Sequence, residues 1–223
     1  MLFNLTPSML ISYLFVLLTA FAVHEFAHAF VANAFGDRTP ELNGRLTLNP
    51  LAHLDVMGSL MLLVAGFGWA KPVPVNIYAL ERRSRLAPMW VALAGPGSNL
   101  LMALLFAIPF KLGLVSVFQA TMAIGTSQSH ILPTIPQLML VFVQTNLLLM
   151  LFNLIPISPL DGEKILYYLL PANGQRVMDQ IRPYGPIVLL VLMMGSILLP
   201  GRINILGTII GVPMNFLLNL LVG

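Results

Sequence analysis

The sequence predicts an all-α multi-span membrane protein with about five to six transmembrane helices. Hydrophobic residues make up 58 % of its 223 residues and charged residues only 9 %, a balance far from that of soluble domains. A helical span needs about 20 predominantly apolar residues. Runs of that kind cover about 9–33, 87–110, 137–155, 184–199 and 203–221.

A single integral-membrane domain over residues 1–223 is expected, because no polar stretch is long enough to fold separately. Its core covers about 9–165, and the last two apolar runs, divided by Pro200 and Gly201, predict a helical hairpin over about 184–221. The net charge is only +3 and forms no basic stripe, so no nucleic acid partner is expected. The chain has no cysteine, so any metal site must use histidine and carboxylate ligands.

The apolar stretch 56–70 lies between the first two long runs and is short for a span. Basic residues flank it on both sides, namely Arg38 and Arg45 before it and Lys71, Arg82, Arg83 and Arg85 after it. Because cytoplasmic loops collect Lys and Arg, we expect this stretch to enter the membrane and return. Residues 71–76 alternate proline with valine and predict an extended segment, either an edge that receives another chain or a rigid loop.

The distribution of basic residues also predicts which side each loop faces. Loops 34–86 and 160–183 are placed in the cytoplasm, whereas the N-terminus and segment 111–136 are placed outside. We expect segment 111–136 to be a loop, and an interfacial helix within it is one option. We expect a multi-pass protein in the cell membrane of a prokaryote, with the groups described next nearer the cytoplasmic side.

The run from Ile11 to Phe35 contains the pentad His24-Glu25-Phe-Ala-His28. Two imidazoles four residues apart lie on one face of a helix, one turn apart, and can hold one metal ion beside the carboxylate. Ionisable groups in a span are costly, so the default interpretation is functional. The alternative is a pair of histidines that hydrogen-bonds between helices.

Catalytic zinc sites usually have a third protein ligand. Asp161 is the favoured candidate, because its segment leaves the membrane on the side of the pentad; the alternative is that it only caps the next helix. The competing ligands are His53, Asp55, His130 and Glu163. The topology places His130 outside, whereas His53 either orients the ligands or bonds to Asp55 or to backbone.

A further motif, Gly95-Pro-Gly-Ser-Asn99, lies within the run 87–110. Small residues let helices approach closely, which is the favoured role of the glycines. Asn99 either hydrogen-bonds a neighbouring helix or lines the cavity.

Together, these motifs resemble the site-2 protease family of intramembrane zinc metalloproteases, in the compact type without PDZ or CBS domains. The pentad, the Gly-Pro-x-x-Asn helix and the segment Asn153 to Gly162, which resembles the family's Asn-x-x-Pro and Leu-Asp-Gly element, occur in the family's order. The resemblance implies that His24, His28 and Asp161 bind one Zn²⁺ per chain. It also implies that Glu25 is the base and that Asn153 stabilises the oxyanion.

The expected function is therefore hydrolysis of peptide bonds in or near transmembrane segments of other membrane proteins. The extended metzincin motif is excluded, because Val31 and Ala34 occupy its remaining Gly and His positions. Two other classes stay open: a catalytically silent scaffold that binds membrane helices, and a metal transporter. A transporter needs polar groups through several spans, whereas here they cluster at one depth. No oligomeric state is predicted.

Overall fold

The computed structural model describes residues 5–65, 68–125, 131–198 and 205–223, and its regular elements there are helices. In chain order they are α1 (Pro7–Ala34), α2 (Thr39–Leu42), α3 (Val56–Ala65), α4 (Ile77–Arg83), α5 (Ala87–Lys111), α6 (Val117–Gly125), α7 (Ile135–Asn153), α8 (Asp161–Leu169), α9 (Ala172–Ile181), α10 (Gly185–Leu198) and α11 (Ile205–Val222). The predicted all-α class is confirmed.

Five helical segments in the described ranges are long and apolar enough to cross a membrane. Four of them begin and end within a few residues of the predicted runs. The exception is the fourth, Ala172–Gly195, which begins well before the predicted run 184–199. Alone, α10 has 14 residues, short of the roughly 20 that a span needs. The 3₁₀ turn Arg182–Tyr184 connects α9 to α10, and the combined segment is long enough to span a membrane.

Helix α5 packs against α1, α7 and α8 and so connects the segments that carry the motifs. The contact between α1 and α7 is built from Val16, Val141 and Phe142, all buried. Between α5 and α7, Ala103 and Leu147 are fully buried in a second cluster. Small side chains at such contacts let helix backbones approach closely where lipid offers no hydrophobic driving force.

The ends of the apolar stretch 56–70, which lies between α1 and α5, meet each other. An isolated antiparallel bridge joins Leu54, before α3, to Ala70, beyond its end, and the Lys71 amide donates to the His53 carbonyl at 2.8 Å. The buried Arg45 guanidinium donates to the carbonyls of Ala52 at 2.5 Å and Lys71 at 3.4 Å. The two ends therefore lie side by side, as expected of a re-entrant element.

Segment 111–136 and the C-terminal helices agree in part with the sequence-based expectations. Segment 111–136 contains α6, whose buried Ala120 packs with Phe110 and Leu140. Part of this segment is therefore helical, and its position at the membrane interface stays a prediction. His130, Pro200 and Gly201 lie outside the described residues. Helices α10 and α11 pack together through Leu189 and Leu206, in a cluster with Ile155 and Leu160, and the predicted hairpin stays a prediction.

Candidate metal centre

The pentad lies within α1, and its two histidines are buried where α1 packs against α5, in contact with the first residue of α8. The two Nε2 atoms lie 3.0 Å apart. Asp161, the first residue of α8, places Oδ2 at 3.2 Å from Nε2 of His24 and at 3.2 Å from Nε2 of His28. Three potential ligand atoms thus form a nearly equilateral triangle, a group that could hold a metal ion.

The size of this triangle fits zinc. Ligand atoms about 2.0–2.1 Å from a tetrahedral zinc ion are separated by about 3.3–3.4 Å, close to the distances between the histidine nitrogens and the Asp161 oxygen. Two imidazoles and a carboxylate also form a donor set that zinc prefers. A zinc ion held by these three residues would keep one position for water or substrate.

The outer nitrogens of both rings support the same interpretation. Nδ1 of His28 lies 2.7 Å from the Val91 carbonyl oxygen, which can only accept, so Nδ1 carries the proton in the neutral ring. Nδ1 of His24 lies 2.6 Å from Oδ1 of Asn99. Both Nε2 atoms then direct lone pairs toward the Asp161 carboxylate. A bound cation satisfies all three atoms at once.

Gly95 explains how α5 comes so close to the histidines. A Cβ atom added there would lie 2.5 Å from Cε1 of His28, 2.6 Å from Cε1 of His24 and in collision with Nε2 of His28. The glycine is therefore required by the close approach of α5 to the two rings, consistent with the packing role expected from the sequence.

Asp161 does not act as a helix cap. The N-cap of α8 is Leu160, without a side-chain cap, while Oδ1 of Asp161 lies 3.4 Å from Nζ of Lys164. The ammonium of Lys164 favours the charged form of Asp161. The carboxylate is therefore the favoured form.

Glu25 is buried beside the histidines, and its Oε2 accepts a hydrogen bond from the Val73 amide at 3.2 Å. Val73 belongs to the extended segment 71–76. That segment is also held at its far end, where the Asn76 amide donates to Oδ2 of the buried Asp37 at 2.6 Å. The carboxylate of the pentad thus touches the segment that the sequence marks as extended.

The competing carboxylates have other partners. The buried Glu163 is paired with Arg182, whose Nη2 and Nε lie 2.7 and 2.9 Å from its Oε1. Asp55 accepts from the Gly58 amide at 2.8 Å and so caps α3.

The remaining candidates lie as follows. His53 is buried, and its Nε2 lies 2.8 Å from the Thr47 carbonyl, which matches the backbone-bonding alternative; its role in orienting ligands stays a prediction. Asn153 ends α7 and donates one amide hydrogen to the Leu149 carbonyl at 3.0 Å. An amide nitrogen carries two hydrogens, and the oxyanion role of Asn153 stays a prediction.

Sequence reasoning missed three groups, namely the Val91 carbonyl, the Val73 amide and Asn146. Only Asn146 has a signal in the sequence, as an amide side chain within an apolar span. The other two are backbone atoms, which no residue pattern reveals.

Residues 12–196 match the model of peptidase family M50. The protein named "Putative zinc metalloprotease YwhC" from Bacillus subtilis is 43 % identical over 202 residues, covering 89 % of both chains. "Putative zinc metalloprotease Rip2" from Mycolicibacterium smegmatis is 33 % identical over 182 residues, covering 79 % of this chain and 64 % of the relative. Its namesake from Mycobacterium tuberculosis H37Rv is 32 % identical over 187 residues, covering 81 % and 66 %. No solved structure matches the chain.

The fold and the site define a membrane-integral metalloprotease of the site-2 type. The chain belongs to peptidase family M50.

Proposed function

We propose that this chain is an intramembrane zinc endopeptidase that hydrolyses peptide bonds in or near transmembrane segments of other membrane proteins. The observation that carries the proposal is the convergence of His24, His28 and Asp161 beside Glu25, all buried among helices long enough to span a membrane. One domain over residues 1–223 carries this activity.

In the proposed mechanism, His24, His28 and Asp161 would hold one zinc ion. The chemistry supplied by zinc in such sites is acidification of water and polarisation of the scissile carbonyl. Glu25 takes a proton from the attacking water and delivers it to the leaving amine. The hydroxide left by this transfer adds to the carbonyl carbon, which turns the carbonyl oxygen into an oxyanion. When the C=O bond re-forms, the C–N bond breaks and the amine leaves with the proton from Glu25. Asn153 donates its second amide hydrogen to the developing oxyanion.

The extended segment 71–76 is the proposed receptor for the substrate backbone. A transmembrane helix has its amides bonded internally, so it must unwind before a carbonyl reaches the site. Pro72 and Pro74 have no N–H, and the amides of Lys71 and Asn76 are already bonded, to the His53 carbonyl and to Asp37. The amides of Val73 and Val75 remain. The Val73 amide already points at Glu25. A substrate carbonyl that takes this hydrogen bond is positioned at the site and releases Glu25 to act as base.

The proposed location is the cytoplasmic half of the cell membrane. His24 lies about ten residues, or about 15 Å, before the end of α1. The loops beyond that end carry the basic residues, among them Lys71, Arg82, Arg83 and Arg85. Such loops face the cytoplasm in most membrane proteins.

The proposal is tested with the purified full-length chain and a panel of tagged single-span membrane proteins. We expect wild type to cleave at least one of them and a chelator to stop cleavage. Glu25→Gln keeps the shape of the side chain but removes the base, so cleavage falls about 100- to 10,000-fold while zinc stays bound. Glu41→Gln, at an exposed carboxylate paired with Arg38, is the matched control and keeps wild-type activity.

The outcomes separate the competing classes. A silent scaffold binds panel members but leaves them intact in wild type as well as in Glu25→Gln. A metal transporter moves zinc across reconstituted vesicles. Cleavage that persists in Glu25→Gln contradicts the mechanism.

A further inference from the structure

Asn146 lies in α7, is completely buried and takes no part in the proposed mechanism. Its Oδ1 accepts from Nδ2 of Asn99 at 2.9 Å. Its own Nδ2 donates to the Phe142 carbonyl, one helical turn earlier, at 2.9 Å. Oδ1 of Asn99 in turn lies 2.6 Å from Nδ1 of His24. Three hydrogen bonds therefore connect a backbone carbonyl to a histidine of the candidate metal centre.

The direction of this chain is fixed at its far end. The Phe142 carbonyl can only accept, so the atom of Asn146 that faces it must be the NH₂ group. The carbonyl oxygen of Asn146 then faces Asn99 and requires the Asn99 NH₂ group there. That leaves the Asn99 oxygen for His24, which must donate from Nδ1.

The two histidines differ in how their tautomers are secured. His28 bonds directly to the Val91 carbonyl, a backbone acceptor that cannot reverse. His24 bonds to an amide side chain, which can reverse its donor and acceptor by rotating about half a turn. With Asn99 reversed, the proton of neutral His24 would move to Nε2, the atom that faces Asp161. Such a tautomer cannot bind a metal ion through Nε2.

We propose that Asn146 is a positioning residue that fixes the orientation of Asn99 and thereby keeps Nε2 of His24 free for the metal ion. The inference rests on the proposed metal site. A reversed Asn99 would present its oxygen to the oxygen of Asn146, two acceptors in a buried site, which is unfavourable. Removing Asn146 removes this restraint.

The test is zinc affinity of the purified full-length protein, measured by competition with a chromogenic chelator and independently of proteolysis. Residues behind metal ligands typically account for about 10- to 100-fold in metal affinity. We therefore expect Asn146→Leu to weaken zinc binding by about tenfold or more. In Asn146→Asp, burial favours the neutral acid, whose O–H donates to the Phe142 carbonyl while its other oxygen accepts from Asn99, so zinc affinity stays within about threefold of wild type.

Gln137→Leu is the matched control. Gln137 is a second buried amide of α7, and its Nε2 contacts Sδ of Met9 at 3.1 Å and Oγ of Ser12 at 3.4 Å rather than the histidine chain. Its loss disturbs the contact between α7 and α1 but leaves zinc affinity unchanged. The double variant Asn99→Leu/Asn146→Leu is expected to bind zinc no more weakly than Asn99→Leu alone, because Asn146 acts only through Asn99.

Several outcomes overturn the inference. One is that Asn146→Leu binds zinc with wild-type affinity, and another is that Asn146→Asp loses as much zinc affinity as Asn146→Leu does. The others are that Gln137→Leu loses as much zinc affinity as Asn146→Leu, and that the losses of the two single variants add in the double variant. Should the leucine disturb packing, Asn146→Ala removes the same amide with less bulk and carries the same expectation. If wild type itself binds no zinc, the proposed metal site fails; if it cleaves no substrate but binds zinc, only the proposed activity fails.

Discussion

The backbone amide of Val73 donates a hydrogen bond to Oε2 of Glu25 across 3.2 Å. This contact joins the carboxylate of the pentad to an extended segment whose neighbouring positions, Pro72 and Pro74, offer no amide hydrogen. The candidate base and the candidate substrate edge are therefore coupled through one N–H group. When this N–H donates to Glu25, segment 71–76 binds the base. When it donates to a substrate carbonyl, the same segment binds the substrate.

The first prediction concerns this amide. Val73→Pro removes the N–H group while residues 71–74 stay extended, and Val73→Ala trims the side chain but keeps the group. We expect Val73→Pro to lower kcat/KM about 2- to 10-fold relative to Val73→Ala, since one hydrogen bond contributes about 0.5–1.5 kcal/mol. Zinc content, measured in parallel, is unchanged in both.

The opposite results are equally informative. Equal activity of the proline and alanine variants would remove segment 71–76 from the substrate site. Higher activity of the proline variant would mean that the amide only restrains Glu25.

The second prediction concerns Gly95. A methyl group there collides with the imidazoles of His24 and His28, so Gly95→Ala is expected to push the rings apart and to abolish stoichiometric zinc binding. Gly97→Ala is the matched control two residues along the same helix, where an added Cβ meets nothing within 4 Å. Both changes raise helix propensity equally, so zinc loss in both variants would contradict a steric cause.

The parts of the site that depend on local spacing could be predicted from the sequence. His24 and His28 meet because four residues make about one helical turn, and Asp161 follows from the side on which its span ends. The Asn99 to Asn146 contact could not be predicted, because it depends on how α5 and α7 are rotated against each other. The pairing of Glu163 with Arg182 joins residues in separate helical segments and depends on how the chain folds back between them.

The fold shows the same division. Apolar run length located four of the five spans closely, but it missed the start of the fourth. Helix α9 is amphipathic and polar on average, so it does not register as an apolar run, and only its continuation through Arg182–Tyr184 into α10 lengthens the span.

The third prediction separates the two adjacent carboxylates, Asp161 and Glu163. Asp161→Asn removes the anionic oxygen that lies 3.2 Å from both histidine nitrogens. Zinc affinity should fall by more than about 100-fold, since residues behind metal ligands already account for about 10- to 100-fold. Glu163→Gln instead breaks the ion pair with Arg182. We expect it to lower the Tm and to leave zinc affinity within about threefold of wild type. The reverse ranking in the chelator competition would make Glu163 the ligand.

The last prediction concerns metal removal and the role of His53. A ligand that binds only the folded state stabilises it by about 2.7 kcal/mol at a concentration 100 times its Kd, so zinc added to chelator-treated protein should raise the Tm. His28→Gln should lose this shift, because Nε2 of His28 is one corner of the ligand triangle. His53→Gln should keep it, since His53 bonds to the Thr47 carbonyl and an amide side chain can donate there as well. A zinc-dependent shift that disappears in His53→Gln would show that His53 supports the metal centre, and one that survives in His28→Gln would rule out the proposed ligand set.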